Sequence, residues 1–308
     1  MRTAIIDMGT NTFNLLVGNI EKGRMGILHN SRIAVKIGKG GINKGEILPD
    51  AIERALAALT ELKQTAEKYN VTNIEALATS AVRTATNQLS FIAKIKETTG
   101  LSVNVISGNE EARLICQGVR QAVPMDNRKV LILDIGGGSN ELIIADAQTI
   151  YWKHSYPLGM ARLLQQFGAC NPANINQLAS IELFFSQQLE GFREAISTWK
   201  PEVLVGASGA FESFYLLKNC EQQEDLPTHT VFNMSNYFDI YQQLLGSTLQ
   251  ERLTMPGLES MRADMIVHAA IFVTFILKLS GIQQMEYSDY ALKEGMLYEL
   301  AFAESHTK

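Results

Sequence analysis

Only three of the 308 residues are cysteine. Cys116, Cys170 and Cys220 are far apart and odd in number, with no CxxC pair and no zinc-ligand spacing. They read as reduced, structural thiols, and neither a disulfide framework nor a zinc site is expected. The five histidines are scattered and form no HExxH. Long apolar runs are also missing. The opening MRTAIIDMG is interrupted by Asp7, too early for a signal peptide. The most apolar later stretch, Met265 to Leu279, contains His268 and Lys278 and falls short of the roughly 20 apolar residues of a spanning helix. It reads as a buried core helix, and the protein is expected to be cytoplasmic with no membrane partner. Positive charge is not in excess: 27 Lys and Arg face 32 Asp and Glu, for a net charge of −5. A nucleic-acid partner is therefore not expected, and any polyanion must be met by locally concentrated positive charge.

What is present is the composition of a soluble globular enzyme, 46% hydrophobic and 19% charged, long enough for two domains. Thr3–Met8, Asn14–Asn19 and Gly26–Val35 read as strands separated by glycine-containing turns. Leu48–Asn70 places Ile52, Leu56, Leu59 and Leu62 at helical spacing, with Pro49 suited to a first turn. Strand Ile74–Ala78, helix Gln88–Thr98, strand Val103–Ile106 and helix Asn109–Val123 follow. A polar stretch, Pro124 to Lys129, resets the pattern. Strands Val130–Leu133, Leu142–Ala145 and Thr149–His154 come next, then helix Leu178–Thr198, strand Val203–Gly206 and helix Ser208–Lys218. The remainder reads as mainly helical, ending with Tyr290–Ala303. Strands alternating with helices predict α/β layers.

The most informative feature is a weak internal repeat. Residues 5–18, IIDMGTNTFNLLVG, resemble residues 132–145, ILDIGGGSNELIIA. Asp7 aligns with Asp134, Gly9 with Gly136, Thr12 with Ser139, Asn14 with Glu141 and Leu15 with Leu142. Each copy is strand, tight turn, strand, and each opens one α/β half. An Asp-x-Gly turn exposes backbone N–H groups because glycine has no side chain to block approach, and successive N–H groups form an anion-binding concavity. The hydroxyls of Thr10, Thr12 and Ser139 add donors. The Asp at each strand end is placed to hold a hydrated Mg²⁺ beside phosphate. Two such hairpins facing each other would grip a phosphate chain from both sides.

Two other segments are less specific. KIGKGGINKGE (36–46) has the Gly40 to Gly45 spacing of a phosphate loop, but Glu46 stands where Lys is needed. It reads as a mobile loop whose Lys36, Lys39 and Lys44 are available to a polyanion. GASGAFES (206–213) is not a nucleophile elbow, because Ala210 occupies the last glycine position. Its two readings are a nucleotide contact and a helix start closing a cleft floor.

The segments DMGTNTF (7–13), ATSAVRTATN (78–87), SGNEEARLI (107–115), LDIGGGSNEL (133–142), GASGAFES (206–213), RAD (262–264) and ALKEGMLYEL (291–300) together resemble the exopolyphosphatase / guanosine pentaphosphate phosphohydrolase (Ppx/GppA) family, within the actin, sugar kinase and heat-shock chaperone superfamily. The likeness runs nearly end to end. Against the usual family pattern, Thr10 and Thr12 replace serines and Asn140 replaces a threonine, with little effect expected. Longer members carry further C-terminal helical domains, so the resemblance implies a short, two-domain form.

The resemblance implies two ribonuclease H-like α/β domains with a cleft between them: domain I over 1–123, joined by a C-terminal helix over 290–308 that packs back on it, and domain II over 124–289. It implies Mg²⁺-dependent removal of terminal phosphate from inorganic polyphosphate, with guanosine pentaphosphate (pppGpp) as the alternative substrate. A homodimer is implied on the same ground alone. Glu110 and Glu111 both open the helix after Gly108, and the residues alone equally allow both simply to favour its N-terminal dipole. The family match puts the base that activates water at Glu111. It favours a phosphate role for Arg83 over a solvated surface position, and phosphate contact by Thr10, Asn11, Gly136, Gly137, Gly138 and Ser139. Asp7, Asp134 and Glu141 are the expected ligands of Mg²⁺ or its waters. Arg113 is expected to make a structural pair. A small-molecule kinase and a non-catalytic nucleotide sensor or filament scaffold are the competing readings.

Overall fold

The computed structural model describes residues 1–21, 24–207, 209–219 and 226–306. Cys220 and Ser208 lie outside the described residues. The chain forms two compact units, one of Met1–Gln121, Gly136–Gly138 and Ala291–Lys308, the other of Ala122–Ile135 and Ser139–Tyr290.

The first unit opens with β1 (Arg2–Met8), β2 (Thr12–Glu21) and β3 (Arg24–Ala34), followed by α1 (Pro49–Glu67), β4 (Asn73–Ala78), the one-turn α2 (Ser80–Arg83), α3 (Gln88–Thr99), β5 (Val103–Val105) and α4 (Gly108–Ala122). Its sheet runs β3-β2-β1-β4-β5. β1 is antiparallel to β2 and parallel to β4. Ala4, Ile6, Met8, Phe13, Leu15 and Val17 face one buried layer with the apolar stripes of α1 and α3, as the period of two along the strands requires.

The second unit contains β6 (Val130–Ile135), β7 (Asn140–Ala145), β8 (Ile150–Tyr156), α5 (Met160–Phe167), α6 (Ile175–Gln188), α7 (Phe192–Trp199), β9 (Val203–Ala207), α8 (Gly209–Asn219), β10 (His229–Val231), α9 (Met234–Gly246), α10 (Leu249–Arg252), α11 (Ile266–Ser280) and β11 (Met285–Ser288). Its sheet runs β10-β11-β9-β6-β7-β8. Read from β8 to β11 it repeats the strand order of the first sheet, with β10 added at the edge. β6 is antiparallel to β7 and parallel to β9. The internal sequence repeat is thus a repeated topology, and each unit has the ribonuclease H-like order of the actin type. α11 is buried on nearly all sides, which explains its apolar composition. Among the described residues no helix is long and apolar enough to cross a membrane.

Three expectations are corrected. The single helix over 178–198 is two helices, α6 and α7, because Gly191 takes φ +74 between them, a left-handed conformation that ends a helix and costs glycine little. The mainly helical C-terminal part contains two strands. β11 lies between β9 and β10, and all four of its residues are buried, a run too short to separate from helix by periodicity. The 36–46 segment is tied down rather than mobile. Val35 N and Lys36 N both donate to Asn11 O (2.9 and 2.8 Å), Gly38 N donates to Thr10 O (3.3 Å), and Ile37 and Ile42 are buried.

The C-terminal helix, α12 (Leu292–His306), returns to the first unit. Leu297 and Ala301 pack on Ile5, Leu16 and Ile20 of β1 and β2. It crosses α4 at a glycine pair. A Cβ on Gly118 would lie 1.9 Å from Ala291 O, and one on Gly295 would lie 1.9 Å from Leu114 O. Alanine in place of glycine normally favours a helix by about 1 kcal/mol. Here the methyl meets backbone, which cannot swing aside, so overpacking of about 1–3 kcal/mol dominates. Gly295→Ala is expected to lower the denaturant midpoint. Gly246→Ala, where the added Cβ meets nothing within 4 Å, is not. In the second unit, burial holds the His268 imidazole down to about 4, below its ordinary ~6.5. The neutral form is favoured in the folded state, so the stability it contributes is present above pH ~6.5 and lost as pH falls toward 4. His268→Gln should flatten the pH dependence of the melting temperature across that window.

Candidate active site

The first hairpin is closed by Gly9, whose N donates to Thr12 O at 3.0 Å. A Cβ on Gly9 would lie 2.9 Å from that oxygen, so the turn accepts no larger residue without shifting. Asp7 and Asn14 are directly paired across β1 and β2, and Asn14 Nδ2 donates to Asp7 Oδ2 at 3.0 Å. At the tip, the carbonyls of Thr10 and Asn11 are taken up by the 35–38 backbone. Thr10 Oγ1 is buried and has no hydrogen-bond partner among the described residues. A buried hydroxyl in that state is costly, and such groups normally meet water, an ion or a ligand.

The glycine run Gly136–Gly138 belongs to this same unit. A Cβ on Gly137 would fall 2.5 Å from Asn11 Nδ2, and one on Gly138 would fall 2.5 Å from Thr10 Oγ1 and 2.7 Å from Ser80 Oγ. Glycines stand at 137 and 138 because the backbone meets polar side chains at distances no side chain permits.

Glu111 is 7% exposed. Arg83, the last residue of α2, donates from Nη1 to Glu111 Oε2 at 2.8 Å and to Ile106 O at 3.0 Å. Ser107 Oγ accepts from Glu110 N at 3.1 Å at the start of α4. The two adjacent glutamates face different ways, as neighbouring helical residues must. Glu110 accepts from Arg113 Nε and Nη2 at 2.9 and 2.7 Å, and Arg113 also donates to both carboxylate oxygens of Glu299 on α12, from Nη2 at 2.8 Å. The two carboxylates raise the Arg113 pKa well above the ordinary arginine value.

In the second unit Asp134 and Glu141 pair across β6 and β7, in the register that Asp7 and Asn14 occupy in the first. Glu141 is 1% exposed; its Oε1 accepts from Ser139 Oγ at 2.7 Å and from Ser155 Oγ at 2.6 Å. Ser139, a phosphate candidate, thus gives its proton to Glu141. Asn140 is buried and donates to Leu158 O at 2.9 Å. In the 206–213 segment, the Arg262 guanidinium covers the start of α8: a Cβ on Gly209 would lie 2.1 Å from Arg262 Nη2. Arg262 Nη1 donates to Glu212 Oε2 and Ser213 Oγ at 2.9 and 3.1 Å. Sequence reasoning gave no role to Arg262 or Ser80. The only signal for Ser80 was a hydroxyl-rich segment directly after a strand.

Among the described residues no three His, Cys, Asp or Glu converge on one point. A closed protein cage of acidic ligands is absent from them. What is present is hard oxygen donors in ones and twos, Asp7 in one hairpin and Asp134 with Glu141 in the other. Carboxylate donors in such small numbers are of the kind Mg²⁺ uses, since that ion keeps several waters and needs only one or two carboxylates.

The model of the Ppx/GppA phosphatase family matches residues 16–304. The crystal structure of an exopolyphosphatase from Cytophaga hutchinsonii is 37% identical, covers 98% of each chain and superposes with a TM-score of 0.95. The Ppx/GppA family member of Aquifex aeolicus has a TM-score of 0.82 at 24% identity over 99% of both chains, a likeness of fold. A putative exopolyphosphatase of Haemophilus influenzae is 28% identical over 304 residues, covering 96% of this chain and 90% of that protein.

The Glu111–Arg83 pair is a test of the geometry in its own right. Arg83→Ala leaves a buried carboxylate without its guanidinium, at an expected cost of about 1–3 kcal/mol. In the Glu111→Gln background the same substitution should cost less. A double-mutant cycle read by urea denaturation measures the difference, and strict additivity would show that the two side chains are not coupled.

Proposed function

The chain belongs to the Ppx/GppA phosphatase family, and we propose that its reaction is hydrolysis of the terminal phosphoanhydride of inorganic polyphosphate. Water attacks the terminal phosphorus. One P–O bond forms and the bridging P–O bond breaks, releasing orthophosphate and a chain one unit shorter. Glu111 accepts the proton of the attacking water. The observation that carries this reading is the division of labour at the start of α4: Glu110 is committed to Arg113, whereas Glu111 is held inside the protein in one orientation by Arg83. A base for water must be fixed in this way, since phosphoryl transfer depends on positioning and charge neutralisation more than on covalent chemistry.

The remaining candidates bind. Thr10 Oγ1, without a partner among the described residues, donates to a phosphoryl oxygen. Asn11 and the side-chain-free Gly136–Gly138 and Ser139 supply the close approach an anion needs. The guanidinium edge of Arg83 that does not face Glu111 is directed to phosphate charge. In the second unit Asp134 and Glu141, and in the first Asp7, are the residues that would hold Mg²⁺ or its waters, and the ion would supply neutralisation of phosphate charge. The same chemistry at the 5′ end of guanosine pentaphosphate is the alternative, and the relatives named exopolyphosphatase favour polyphosphate.

Purified protein with Mg²⁺ is offered short polyphosphate, long polyphosphate and guanosine pentaphosphate side by side, and released phosphate is measured. Release from polyphosphate is expected, with kcat falling about 10²-fold or more in Glu111→Gln and little changed in Glu110→Gln. Preference for guanosine pentaphosphate would move the assignment to the nucleotide. A fully active Glu111→Gln protein would remove the base.

A further inference from the structure

We propose that Ser80 contacts the substrate directly, its hydroxyl joining Thr10 Oγ1 in donating to an oxygen of the phosphoryl group that is removed. The inference rests on the phosphatase reading and adds a binding residue to it. Ser80 is 3% exposed and Thr10 4%. Ser80 makes its hydrogen bonds through its carbonyl, which accepts from Thr84 N and Thr84 Oγ1, both at 3.0 Å. Its hydroxyl bonds to no described residue, and neither does that of Thr10. A buried Thr10 hydroxyl without a partner among the described residues, beside a second hydroxyl that bonds to none of them, is not what folding alone selects, because groups like these are nearly always hydrogen-bonded.

Their placement points to what they meet. Both converge on the point where a side chain on Gly138 would begin, Thr10 Oγ1 at 2.5 Å and Ser80 Oγ at 2.7 Å. Glycine at 138 therefore lets its main chain lie directly against both hydroxyls, beside the rest of the glycine run. Neutral donors converging beside main chain suit an oxyanion, here a phosphoryl oxygen. Ser80 and Arg83 are the two ends of α2, and Arg83 holds Glu111. One turn of helix thus carries a phosphate donor at its first residue and the support of the base at its last. Thr84 binds the Ser80 carbonyl twice and fixes that turn.

Ser80→Ala, Ser80→Thr and Gly138→Ala are made in the full chain, and phosphate release from tripolyphosphate with Mg²⁺ is followed. Binding of tripolyphosphate is measured by calorimetry in Glu111→Gln, with and without Ser80→Ala. Expected results are a fall in kcat/KM of about 10-fold or more in Ser80→Ala, the order of one hydrogen bond to a charged group, with a matching loss of affinity. Ser80→Thr, which keeps the hydroxyl, recovers most of the loss. Should Ser80→Ala fail to fold, Gly138→Ala probes the same place by forcing a methyl against both hydroxyls and shifting them, and is expected to weaken binding. Unaltered tripolyphosphate affinity in Ser80→Ala, or in Gly138→Ala if that variant is the one available, overturns the proposal even if stability or turnover falls. Wild-type protein that releases no phosphate from any substrate overturns instead the phosphatase reading on which it rests.

Discussion

Much of this structure depends on backbone approaching polar atoms and other backbone where no Cβ intervenes. Gly9 closes the first hairpin onto Thr12 O, Gly137 and Gly138 admit Asn11, Thr10 and Ser80, and Gly118 with Gly295 lets α4 and α12 touch main chain to main chain. A methyl group at any of these points would fall inside contact distance of an oxygen or nitrogen. The first two places leave backbone bare beside polar side chains, as the proposed phosphate contact requires. The third seats the helix that bears Glu111 against the C-terminal helix.

That seating is what gives α4 its chemistry. Two consecutive glutamates at a helix start are chemically alike in the sequence, and both favour the helix dipole. Packing separates them. The Gly118–Gly295 crossing brings Glu299 to Arg113, and Arg113 engages Glu110 on the face toward α12. Glu111, one residue on, is turned inward to Arg83. The two ion pairs are partly buried, so each contributes more by orientation than by net stability. Orientation is what a base for water requires.

The duplication explains why the two hairpins resemble each other and where they diverge. Both present an Asp on the first strand directly opposite a polar residue on the second, Asn14 in one and Glu141 in the other. In the first unit the hydroxyls of Thr10 and Ser80 bond to none of the described residues. In the second, Ser139 and Ser155 are bonded to Glu141. The first unit thus keeps hydroxyls that bond to no described residue, whereas the second uses its hydroxyls to hold a carboxylate in place.

The sequence by itself determined the two α/β halves, the strand–glycine–strand repeat and the adjacent glutamates at the start of α4. Each is a local matter of periodicity, glycine placement or composition. It could not determine that 178–198 breaks at Gly191, since a helical pattern does not reveal the sign of φ. Nor could it show that Met285–Ser288 joins a sheet, because four buried residues carry no period. Only the tertiary structure decided which glutamate of the pair faces Arg83, that the 36–46 segment is anchored on Thr10 and Asn11, that Ser139 serves Glu141, and that Ser80 stands beside Gly138. All four are contacts between segments distant in the chain or choices of side-chain direction, and these are fixed by packing rather than by the residues' own preferences.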